Sequence, residues 1–133
     1  MKGTTRAWID KVEDDWRIAR TLLRVKDRSY DGVCFHCQQS AEKFLKALLE
    51  ECGSAIPRTH NLLDLHQSLL PTFPPLQPLV RGMVFLKQFA VEFRYPGKKA
   101  VKRQALAAVR WARQTRQAGR AMLGIKPPRK RRA

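Results

Sequence analysis

Acidic side chains are scarce in this chain of 133 residues: 11 Asp and Glu stand against 27 Lys and Arg, a formal charge of +16 at pH 7. A surplus of that size attracts polyanions or an acidic protein, and the clustering of the basic residues favours such engagement over mere solubility. Cysteine is sparse as well. Cys34, Cys37 and Cys52 are an odd number without scaffold-like spacing, which excludes a disulfide framework and suits reduced, buried thiols. No apolar run reaches the length of a signal-peptide core or a membrane span, so no membrane association is expected and the cytoplasm is the default compartment. A Walker loop, a GxGxxG turn, an HExxH helix and Ser-His-Asp spacing are all missing. Cys34-x-x-Cys37 has no second Cys/His pair to complete a zinc site and falls inside a helical pattern, so it reads as core. Neither a metal nor a cofactor is expected. Strand-type alternation and internal repeats are absent too.

What is present is helical periodicity from end to end, with 44% hydrophobic and 29% charged residues, a balance that suits one globular domain. The spacing predicts an all-α fold: an up-and-down bundle of four to five helices over residues 1–124, then a basic, mobile tail over 125–133. The first helix is predicted from Thr5 to Lys26, burying Trp8, Val12, Trp16, Ala19 and Leu23 and presenting Arg17, Arg20 and Arg24 as a cationic face. The second runs from Tyr30 to Cys52, with Val33, Cys34, Cys37, Ala41, Phe44, Leu45, Leu48 and Cys52 inward and Gly53 as C-terminal cap. His36, Gln39 and Lys43 share its other side with Gln38 and Glu42, a dense polar group on a helix that must otherwise be buried; a solvated face with a Glu42–Lys46 pair would satisfy the same residues. Asn61 caps a short third helix carrying Leu62, Leu65, Leu69 and Leu70. His60 then reads as a helix-start histidine and His66 as a surface one. Beyond the stiff Pro71–Pro75 connector, a fourth helix is predicted from Leu76 to Phe93. Its centre, Met83–Val91, is apolar on more than one face. Such a helix needs burial on two sides, by central enclosure or by a second copy of the chain in a homodimer formed through this helix. The last helix is predicted from Lys98 to Leu123, with Val101, Ala105, Ala108, Ala112 and Met122 as a narrow inner stripe and Arg103, Arg110, Arg113 and Arg120 as a second cationic face.

Two segments carry candidate binding chemistry. At the break Arg94-Tyr95-Pro96-Gly97, a helix start at Lys98 and Lys99 offers free backbone N–H groups, and with Arg94 would make a phosphate cradle. An Arg that caps the preceding helix and a Tyr that packs would satisfy the same residues. The tail residues Arg129, Lys130, Arg131 and Arg132 form a polyanion-binding run without sequence-reading geometry.

The run Tyr30–Leu49, YDGVCFHCQQSAEKFLKALL, then Pro57-x-Thr59-His60-x-Leu62 and Phe93-Arg94-Tyr95-Pro96, resembles the HEPN domain family over nearly the whole chain, from Trp8 to Leu123. The resemblance implies a bundle of four to five helices that dimerises, often encoded beside a minimal nucleotidyltransferase and acting with it as a toxin–antitoxin pair. Active members are metal-independent ribonucleases in which an Arg is followed, after four to six residues, by a His. Arg94 matches that Arg, but Lys99, Ala100 and Val101 occupy the positions for the His. Metal-free RNA cleavage needs a group that moves protons near neutral pH. The reading favoured here is therefore an RNA- or nucleotide-binding module that engages its ligand through Arg94, Tyr95, Lys98, Lys99 and Lys43. The alternatives are a ribonuclease toxin using Arg94 with His36, and a non-catalytic adaptor for an acidic protein.

Overall fold

The periodicity becomes five α-helices, with no strand among residues 1–127, the part described by the computed structural model. They are α1 (Gly3–Arg24), α2 (Tyr30–Glu51), α3 (Leu62–Leu69), α4 (Val80–Lys87) and α5 (Lys102–Met122). α1 and α2 form an antiparallel hairpin, and α5 packs along α2 in the same direction, so that Asp31 meets Ala100 near one end and Phe44 meets Gly119 near the other. α3 and α4 close the remaining flank. The arrangement is the all-α bundle that the spacing predicts.

Helix ends follow local chemistry. The Ser29 hydroxyl accepts the Gly32 N–H at the start of α2, and Asn61 Oδ1 accepts the Leu63 and Asp64 N–H groups at the start of α3. α2 ends where Gly53, at φ 75°, lets its own N–H reach Glu50 O and that of Ser54 reach Leu49 O. α5 ends the same way at Gly124, and the Ile125 N–H bonds Arg120 O. Ile125, placed by the sequence at the start of the tail, is half-buried against the bundle. The basic run Arg129–Arg132 lies outside the described residues.

The core is built from Val12, Trp16, Ala19, Cys34, Cys37, Phe44, Leu45, Leu48, Leu62, Leu65, Leu69 and Met83, with Ala105, Ala108 and Ala112 beneath α5. The small stripe of α5 lets the two backbones approach so closely that a Cβ on Gly119 would collide with the Phe44 ring.

Several expectations need correction. The fourth helix is not continuous. A 3₁₀ segment, Pro74–Leu79, precedes α4, because Pro78 lacks the N–H that an α-helical ladder requires. After Lys87 the bonds tighten, Phe89 N–H to Leu86 O and Ala90 N–H to Lys87 O, and a second 3₁₀ turn, Glu92–Arg94, follows. α5 starts at Lys102 rather than Lys98, so Val101 is an extended, exposed N-terminal flank instead of a core residue. Cys52 is exposed at the end of α2. His66 is fully buried: its Nε2–H donates to Leu76 O at 2.7 Å and ties α3 to the 3₁₀ segment, leaving Nδ1 without a partner.

Candidate phosphate site and the polar clusters of the second helix

The turn that follows α4 puts Arg94 on the surface. Its guanidinium lies 5.2 Å from the centre of the Phe35 ring of α2 and has no carboxylate partner among the described residues. Cation–π contact of this kind holds the group in place while leaving its N–H edge open to solvent. Beside it is a shallow cleft of about 300 Å³ lined by Asp31, Gly32, Phe35, Phe89, Phe93 and Arg94. Phe89 and Phe93, whose centroids are 4.8 Å apart, continue a ladder at four-residue spacing that starts outside the cleft at Phe85, 5.3 Å from Phe89. Lys98 adds a second cation, 5.7 Å from the Phe93 ring, although Glu92 draws its ammonium to 3.4 Å. Tyr95 and Lys99 are exposed.

No helix-start cradle accompanies them. Since α5 begins at Lys102, the backbone around Lys98 and Lys99 is not helical. The nearest N–H groups are also taken, that of Ala100 by Asp31 Oδ1 at 2.6 Å and that of Val101 by Gln104 Oε1 at 2.9 Å. Any phosphate in this cleft would be held by side chains, chiefly Arg94.

His36 and Lys43 do not join Arg94. Both turn to Asp15 of α1, a residue only 6% exposed, with His36 Nδ1 at 2.8 Å and Lys43 Nζ at 2.6 Å from its two oxygens. A carboxylate only accepts, so His36 carries its proton on Nδ1, and Nε2 has no protein partner among the described residues. One turn along, Glu42 is 2% exposed and accepts from Gln38 Nε2 at 3.0 Å, Lys46 Nζ at 3.1 Å and His60 Nδ1 at 3.1 Å, while Gln39 Nε2 donates to Gln38 Oε1 at 2.7 Å. The polar side of α2 is thus not a solvated face. Its charges are compensated across helices, and it sets how α1 and the loop before α3 dock on α2.

The Cys34 and Cys37 thiols are inert by position. Burial, helped by the nearby Asp31 carboxylate, pushes the Cys34 thiol up to about 12, and burial raises Cys37 as well. Glu51 is held below its ordinary value, first by the backbone N–H of Lys2 and then by the Thr5 hydroxyl and the chain terminus. Among the described residues no three His, Cys, Asp or Glu gather as a metal site, and no helix is long and apolar enough to cross a membrane.

The family model described as HEPN domain matches residues 5–121. Among solved structures, the chain is similar to TT1696 from Thermus thermophilus, a crystal structure, with a TM-score of 0.76 and 23% identity over 90% of this chain and 98% of that one. That likeness establishes the shared fold. No curated protein matches.

Proposed function

The chain belongs to the HEPN domain family, and from that premise we propose that it is an RNA- or nucleotide-binding module whose ligand phosphate meets Arg94. Family membership carries the general expectation of a nucleotide- or RNA-related module. The observation that supports the finer reading is an exposed guanidinium stacked on Phe35, free of any carboxylate among the described residues and open to an aromatic-floored cleft. A fork of N–H donors in that state matches two phosphate oxygens. Phe93 and Phe35 offer apolar surface to the rest of a nucleotide, and Lys98 is close enough to add charge. In this reading the module acts as a homodimer with a minimal nucleotidyltransferase as partner, in a toxin–antitoxin pair. Val84 and Val91, 47% and 55% exposed on and just after α4, support a dimer face there.

Binding of a labelled RNA and of ATP at low salt tests the proposal. Both should bind the wild type, RNA binding should fall steeply as salt rises, and Arg94→Ala should weaken both by roughly tenfold, the loss of one charge-assisted contact. A wild type that ignores both ligands at low salt refutes it.

One observation favours a second reading, a ribonuclease. Asp15 orients His36 so that Nε2 is the free nitrogen, the arrangement a general base requires. Cleavage of RNA in chelator, lost in both Arg94→Ala and His36→Ala, is its signature; a wild type without cleavage removes it.

A further inference from the structure

A second basic cleft, of about 520 Å³, opens between α1 and α5. Trp16 lies in its floor, with the guanidinium of Arg20 from α1 5.7 Å from its ring and those of Arg113 and Arg116 from α5 at 5.6 and 6.0 Å. Glu13 clamps α5 by accepting Arg116 Nε and Nη2, each at 2.9 Å, and faces Arg120 at 3.6 Å. Asp14 takes Arg17 at 3.0 Å. Those two acids leave Arg20, Arg24 and Arg113 exposed and without a carboxylate partner among the described residues.

Like charges gathered around one indole repel each other, and cation–π attraction offsets this only in part. An anion entering the cleft relieves the repulsion, and planar guanidiniums favour one with paired oxygens. The charge recurs along both helices. Arg20 and Arg24 are one turn apart on α1, about 6 Å of axis, and Arg113 of α5 lies with Arg20 over the Trp16 ring, so a ligand with charge repeating along its length engages more than one of the three. Trp16 is only 6% exposed beneath its cations, so no base can stack on it. Recognition must then be of the backbone. The cleft is also distinct from the Arg94 site: Phe35, under Arg94, and Phe44, against Gly119 of α5, are nine positions apart on α2, half a turn out of phase.

We propose that the α1–α5 cleft is a second RNA-docking surface, gripping phosphodiester groups through Arg20, Arg24 and Arg113 without reading bases. It rests on the RNA-binding reading above and extends an RNA strand's contact to another side of the bundle.

The test is anisotropy of labelled uridine and adenine oligoribonucleotides across a salt series. It compares the wild type with Arg20→Gln/Arg24→Gln/Arg113→Gln and with a charge-matched control whose residues line neither cleft, Arg6→Gln/Lys11→Gln/Arg58→Gln. All six residues are exposed, and the fold of each variant is checked by circular dichroism. The cleft variant should lose roughly tenfold or more in affinity for both sequences alike, and its log–log salt slope should shrink by about 2, three contacts at about 0.7 each. The control should keep most of the wild-type affinity. Equal loss in the control reduces the effect to bulk charge and overturns the proposal. Unchanged binding by the cleft variant, with the wild type still binding RNA, overturns it while sparing the Arg94 reading. A wild type that binds no RNA overturns both. Displacement of the RNA by polyglutamate at equal charge concentration shows a surface made for acidic protein and also overturns it.

Discussion

Asp15 of α1 is shared between His36 and Lys43 of α2, with Lys43 Nζ at 2.6 Å and His36 Nδ1 at 2.8 Å on different oxygens. The carboxylate side chain is 9% exposed and both partners are about a quarter exposed, so the cluster is a partly dry joint of the α1–α2 hairpin. Asp15→Ala strands two donors beside the core and should cost about 3 kcal/mol of unfolding free energy, measured by urea denaturation. A loss under about 1 kcal/mol would place the cluster among solvated surface pairs.

The close approach of α2 and α5 makes a second expectation. Gly119→Ala drives a methyl group into Phe44 and should destabilise by about 2 kcal/mol. Gly124→Ala, where nothing crowds the site but φ is 71°, should cost about 1 kcal/mol for its left-handed backbone. Thermal unfolding of the two variants checks the order, and a larger loss at Gly124 would contradict the packing.

Thiol chemistry reports on burial. In the native protein a thiol reagent should label Cys52 and spare Cys34 and Cys37, with all three reacting in denaturant. Cys34 is raised from 9.0 to about 12, so the folded state keeps a proton that the unfolded chain releases. Its contribution to stability is therefore complete below pH 9 and declines as pH rises from 9 towards 12. Fast native labelling of more than one thiol would show an open core.

Glu51 gives the opposite sign. Its carboxylate holds the start of α1 through the Lys2 N–H at 3.0 Å and the Thr5 hydroxyl at 3.0 Å, and it is depressed by those bonds. The stabilisation is present above the ordinary carboxylate range and is lost as pH falls through the folded value. Amide exchange at Lys2–Arg6, corrected for its intrinsic pH dependence, should accelerate on acidification before the rest of α1. Uniform exchange along the helix would refute the pin.

The sequence made much of the bundle legible because periodicity records burial: Val12, Trp16 and Ala19 of α1, the stripe of α2 from Val33 to Leu48, and the caps at Gly53 and Asn61 stand where the spacing puts them. The interruption of the fourth helix was hidden because Phe85, Phe89 and Phe93 keep four-residue spacing across a backbone that tightens beneath them. The late start of α5 was hidden for another reason, since the Ala100 N–H goes to Asp31, 69 residues away. Asp15 could have been found. It lies three positions after Val12 and four before Ala19, on the inward side of α1, where a carboxylate calls for partners. Phe35 beneath Arg94 and the guanidiniums over Trp16 come from packing between helices, and no spacing within one helix encodes them.

The reading depends most on Arg94 touching ligand phosphate. Its side-chain Nε–Hε resonance, assigned by its loss in Arg94→Lys, can be followed in ¹H–¹⁵N spectra while ATP or a short RNA is added. The expected result is a saturable shift of that signal at ligand concentrations where the Phe35 and Phe93 ring protons also move. If the ligand binds and shifts other arginine signals while that of Arg94 stays fixed, the Arg94 cleft is not the site.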